Sequence, residues 1–96
     1  MDRQDIVDLL HEHKSALEHV GVHSLALFGS VARDQARPDS DLDVLVEFRG
    51  PATFDRYMEL KDLLEDLVGR RVDLVTRASL RAELVESVEA EALRVA

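Results

Sequence analysis

The chain has 96 residues, enough for one domain with a single modest core, and residues 1–96 are expected to form one unit. It is 46% apolar and 33% charged, with a formal net charge of −8, so it lacks the Lys/Arg surplus on which sequence-independent binding to DNA or RNA rests. With no cysteine it offers neither a disulfide framework nor a thiolate zinc site, and no apolar run approaches the roughly 18 to 20 residues that cross a bilayer.

The opening MDRQDIVDLL mixes acids and bases from its second residue, unlike a signal or transit peptide, so a cytoplasmic location is expected. Ile6, Leu9, Leu10, Leu17 and Val20 recur at helical spacing and predict a helix over residues 2–20, stopped by Gly21. His23–Phe28 is short and apolar and reads as a buried strand. Gly29 and Ser30 then open a brief helix, Val31–Ala36, which Pro38 ends. Leu42–Phe48 alternates: Leu42, Val44, Val46 and Phe48 face one way, and Asp41, Asp43, Leu45 and Glu47 the other.

After the Gly50-Pro51 breaker, Phe54, Tyr57, Leu60, Leu64, Leu67 and Val68 mark a long helix that Gly69 stops. Arg71–Val75 reads as a third strand. Thr76 or Ser79 is expected to cap a last helix with the stripe Leu80, Leu84, Val88 and Ala92. Helix and strand periods alternate along the chain, which predicts an α/β domain of the α+β kind: a small mixed three-stranded sheet with about four helices.

The chemistry is concentrated in residues 27–48, LFGSVARDQARPDSDLDVLVEF. Asp41 and Asp43 stand two apart on a strand, so their carboxylates project from one face with Cα atoms roughly 7 Å apart. Two such acids repel unless a cation lies between them, and oxygen ligands without Cys or a nearby His suit Mg²⁺ or Mn²⁺ better than zinc. Gly29 permits the close backbone approach a phosphate needs, and Ser30 adds a hydroxyl at an expected helix N-terminus. Asp73 is a carboxylate inside an apolar strand. If that strand pairs beside Leu42–Phe48, Asp73 joins Asp41 and Asp43 around two metal ions. Otherwise it caps the strand or pairs with Arg70 or Arg71.

Gly29-Ser30, ten residues, then Asp41-Leu42-Asp43 resembles the GS-x10-DxD signature of the DNA polymerase beta nucleotidyltransferase superfamily, and VDLVT with Asp73 resembles its third-acid strand. The short length and the wording GSVAR…SDLDVLV resemble most the minimal nucleotidyltransferase (MNT) group, commonly antitoxins paired with HEPN-domain ribonuclease toxins. The resemblance implies the nucleotidyltransferase fold, with Asp41, Asp43 and Asp73 as catalytic residues and ligands of two Mg²⁺ ions. It implies Gly29, Ser30, Arg33 and Ser40 as the nucleotide-binding residues. Arg33 matches the family pattern but has ion-pair alternatives in Asp34 and Asp39; Val31 departs from the polar residue frequent in relatives.

The implied activity is Mg²⁺-dependent transfer of AMP from ATP to a hydroxyl, a tyrosine's, on a HEPN toxin, with ATP and the toxin as partners and no direct nucleic acid or membrane. Two other functions fit the same residues: an antitoxin that only covers the toxin, and a small-molecule nucleotidyltransferase. The second leaves no room for an acceptor domain in 96 residues. His11, His13, His19 and His23 are not spaced as a metal site, and Tyr57 reads as core rather than acceptor. Arg70, Arg71, Arg77 and Arg81 read as a solvated face or as contacts to a partner or nucleotide.

Overall fold

The computed structural model describes residues 2–29 and 41–95; the expected helix Val31–Ala36, with Ser30, Arg33 and Ser40, lies outside them. Helix α1 spans Arg3–Glu12. Asp2 opens it with a capping box, its carboxylate accepting the Asp5 N–H while the Asp5 side chain accepts the Asp2 N–H. Helix α2 spans Lys14–Val20 and ends at Gly21, whose φ of 97° is open to glycine at no steric cost.

Residues 2–20 were expected as one helix and are two. The break is at His13, which has φ −105° and ψ 21° and whose Nδ1 lies 2.9 Å from the Leu9 carbonyl oxygen. Such a side chain meets the carbonyl that the next turn uses, while Leu10 and Leu17 stay fully buried on either side.

Strand β1 is Val22–Phe28 and strand β2 is Leu42–Phe48. Helix α3, Phe54–Val68, starts from Thr53, whose Oγ1 accepts the Arg56 N–H at 3.2 Å, and stops at Gly69. Strand β3 is Val72–Thr76, and a 3₁₀ turn follows at Arg77–Ser79. Helix α4 is Ala82–Glu91, and a two-residue strand β4, Leu93–Arg94, closes the order.

Neither expected cap is made as foreseen. Thr76 gives no side-chain cap, and the Ser79 hydroxyl donates back to the Thr76 carbonyl at 2.8 Å. Of the expected last stripe, Leu80, Val88 and Ala92 are half-buried, and the Leu84 side chain lies outside what is described. Phe54, expected on the apolar stripe of α3, is 75% exposed; it is the first residue of the helix, a turn short of the core.

Among the described residues the sheet has four strands rather than the three expected, in the order β3-β2-β1-β4. β1 runs antiparallel to both β2 and β4, and β2 runs parallel to β3. A parallel neighbour needs a crossover, and α3 supplies it. One sheet face carries Leu25, Leu27, Leu42, Val44, Val46, Val72 and Leu74, packed against Ile6, Leu10, Leu17, Leu60, Leu64 and Val68. Val95 joins this core, its N–H donating to the Leu25 carbonyl at 2.8 Å.

Helix α3 also closes the outer edge of β3. The Tyr57 hydroxyl donates to the Leu74 carbonyl at 2.7 Å, and Glu65 Oε2 accepts the Val72 N–H at 2.8 Å. These contacts occupy groups that an unprotected edge would offer to another chain. Tyr57 therefore belongs to the fold, as expected.

Leu64 is fully buried between α3 and the sheet. Leu64→Ala is expected to cost about 2–5 kcal/mol in urea unfolding, and Tyr57→Phe only about 0.5–1.5 kcal/mol, because one hydrogen bond is lost with little volume change. Equal costs for the two would mean that α3 holds β3 by the edge contacts rather than by its apolar stripe.

Candidate active site

Each strand contributes one side-chain row to the sheet face opposite the core. Across the sheet the register partners are Phe28↔Asp43↔Asp73, then Ala26↔Leu45↔Val75, then Ser24↔Glu47. The first row holds two carboxylates on adjacent strands, with Cα atoms about 4.8 Å apart as neighbouring strands are. Asp73 thus stands beside Asp43, as the conditional pairing of the two strands anticipated.

Asp41 comes just before β2, in a segment pinned by the Leu42 N–H donating to the Arg71 carbonyl at 2.9 Å. Asp41 and Asp73 are exposed and line one open depression of about 210 Å³ with Lys61, Glu65, Arg71 and Val72. Asp43 is half-buried.

Gly29 follows Phe28 at the end of β1, beside Asp43. Its φ is 68°, and a Cβ built there would overlap Oδ2 of Asp43 and stand 3.1 Å from its Cγ. Glycine is thus required twice at this position, for its dihedral angle and for the room it leaves the carboxylate. Gly29, Asp41, Asp43 and Asp73 therefore gather at one end of the sheet.

Among the described residues, no three His, Asp or Glu side chains form a ready-made metal cage. The donor set itself suits a hard divalent cation: carboxylate oxygens from adjoining backbone positions, with the Asp43 carboxylate set in the room that Gly29 leaves. Ser30, Arg33 and Ser40 lie outside the described residues.

Sequence reasoning missed Lys61 as a neighbour of the acids, because a single lysine on an amphipathic helix carries no motif. Arg71, read as part of a solvated face or as a contact to a partner or nucleotide, is exposed and lines the acid depression, while Arg77 pairs with Glu47 at 3.3 Å. None of the four histidines enters a metal cluster among the described residues.

The family model described as nucleotidyltransferase domain matches residues 10–95. The chain belongs to this family. It is 39% identical over 93 residues to protein adenylyltransferase MntA of Thermococcus cleftensis, covering 96% of this chain and 94% of that one. A solved structure named as a candidate minimal nucleotidyltransferase has a TM-score of 0.86 and 40% identity, covering 97% of this chain and 95% of that one. A complex of a tri-AMPylated Shewanella oneidensis HEPN toxin with an MNT antitoxin contains a chain with a TM-score of 0.69. That match covers 98% of this chain and 71% of that one, and at 20% identity it is a likeness of fold. The protein is thus a nucleotidyltransferase, and such enzymes generally use divalent metal ions.

The closeness of Gly29 to Asp43 gives a sharp test of the site's construction. Gly29→Ala is expected to destabilise by about 1–2 kcal/mol from the left-handed backbone alone, with a further cost from the carboxylate. In a double-mutant cycle with Asp43→Ala, that further part should disappear and the coupling reach about 0.5–3 kcal/mol. Additive costs would separate Gly29 from the Asp43 side chain.

Proposed function

We propose that this chain is a protein adenylyltransferase that moves AMP from ATP to a tyrosine hydroxyl of a HEPN-domain toxin, and so acts as its antitoxin. The observation that carries the reading is the 39% identity with protein adenylyltransferase MntA along nearly the whole of both chains. The adjacency of Asp43 and Asp73 in the parallel ladder supports it.

In this reading Asp41, Asp43 and Asp73 would hold two Mg²⁺ ions; Mn²⁺ suits the same oxygens. The bound ions would offset negative charge on the triphosphate and make the acceptor hydroxyl more acidic. Gly29 leaves room for the Asp43 carboxylate, and its backbone with Ser30 holds the β- and γ-phosphates. Arg33 and Ser40 bind the nucleotide. The hydroxyl oxygen attacks the α-phosphorus in line as its proton passes to the Asp73 carboxylate. The bond from that phosphorus to the β-bridging oxygen breaks, and pyrophosphate leaves with the electron pair.

Three results are expected. Mg²⁺ with ATP at a hundredfold excess over Kd should raise unfolding stability by about 2.7 kcal/mol, and an absent shift with no calorimetric heat would remove the metal–nucleotide site. Sub-stoichiometric protein with α-labelled ATP and Mg²⁺ should label an excess of toxin, with added AMP seen by mass spectrometry. Asp43→Asn should stay folded and lower transfer by about a hundredfold or more, since it removes charge and little volume. Full neutralisation of the toxin by Asp41→Asn, Asp43→Asn protein at equal stoichiometry, without label from the native chain, would leave an antitoxin that only binds.

A further inference from the structure

The rows beyond the acids form a second feature on the same sheet face. Next to Phe28–Asp43–Asp73 comes Arg94–Ala26–Leu45–Val75, and after it the register pair Ser24–Glu47. Successive rows are roughly 7 Å apart along the strands. Ser24, Ala26, Leu45, Glu47, Ala92 and the two arginines Arg77 and Arg94 line a depression of about 220 Å³ there. Its floor is small and apolar, and its far rim is polar.

That volume is below the roughly 300–1,000 Å³ of pockets that enclose a whole small molecule, so it suits one part of a ligand whose remainder lies elsewhere on the face. Rows about 7 Å apart match a nucleotide laid along the strands, with its α-phosphate at the acid row and its sugar between the rows. Its base then comes over Leu45 and Ala26.

We propose that this depression seats the adenine of the nucleotide, with Glu47 and Arg77 as the residues that read its edge. The inference rests on the nucleotidyltransferase reading and adds to it the means of choosing the base. Glu47 carries only acceptors and Arg77 only donors, and the two groups stand side by side at 3.3 Å. The matching edge presents amino hydrogens beside an acceptor ring nitrogen, as adenine does with its 6-amino group and N1. Hypoxanthine presents the reverse, a carbonyl oxygen beside a ring N–H. The apolar floor of Ala26, Leu45 and Ala92 takes the flat face of the base, where a ribose would bury its hydroxyls without partners.

The experiment is calorimetric titration of the protein with ATP and with ITP in Mg²⁺, which compares two triphosphates differing at the reading edge. The native chain should bind ATP about tenfold more tightly than ITP, the size of one hydrogen bond to a charged group. Glu47→Leu should weaken ATP binding and bring the ratio close to one. Ala26→Leu, which fills the floor, should weaken both nucleotides together; it keeps the test available if the Glu47 variant does not fold. Equal affinity of the native chain for ATP and ITP, or an unchanged ratio in Glu47→Leu, would overturn the base seat while leaving nucleotide binding intact. No binding of either nucleotide by the native chain would remove the nucleotidyltransferase reading along with it. Unchanged nucleotide affinity in both variants, with transfer to the toxin lost, would assign the depression to the acceptor protein instead and overturn the proposal.

Discussion

The parallel pairing of β2 with β3 is the constraint on which the rest of the structure depends. It sets Asp43 directly beside Asp73, an arrangement that costs free energy because like charges opposite one another repel. The ladder holds because the alternate residues of the same strands, Leu42, Val44, Val46, Val72 and Leu74, are buried on the other face. Helix α3 carries the chain from one strand to the next and then bonds the far edge of β3 through Tyr57 and Glu65. The acid row is therefore imposed by apolar burial behind it and by edge contacts beside it, neither of which involves a carboxylate of that row. A cation that relieves the repulsion acts on a row already assembled.

Much of this was legible in the chain because it is local. The alternation of Leu42–Phe48 assigned both the strand and its two faces, and Gly21 and Gly69 marked helix ends that the structure has at those residues. The pairing of β2 with β3 was only conditional in the sequence: a period identifies a strand but not its neighbour. The break at His13 was hidden for a different reason, since Leu10 and Leu17 keep to the core across it and the apolar spacing is unaffected. β4 was missed because two residues carry no period; Leu93 and Arg94 are strand through their pairing with Leu27 and Ala26.

The candidate site divides in the same way. Gly29, Asp41 and Asp43 were found from spacing, and Asp73 from a charge in an apolar strand. Lys61 and Arg71 become neighbours of the acids only through the fold, Lys61 because α3 packs on the sheet and Arg71 because its carbonyl anchors Leu42. What sequence could not supply for Gly29 was the identity of the group it makes room for. The pairing of Phe28 with Asp43 brings the residue after Phe28 against that carboxylate, so the glycine and the acid form one steric unit although fourteen positions separate them in the chain.

The two faces of the sheet divide the work of the domain. One is filled by α1, α2 and α3 and supplies the core, while the acids, Leu45 and Glu47 stand on the other. A formal charge of −8 means that the far field of the chain opposes a triphosphate, and at physiological salt that field fades beyond about 8 Å. In the proposed reading, recognition is decided close to the surface, by cations at the acid end, by Lys61 and Arg71 beside the acids and by Arg77 and Arg94 in the second depression. In that reading, an anionic nucleotide and divalent cations would each lower the cost of placing the other next to Asp41, Asp43 and Asp73. Their binding would then be coupled by charge.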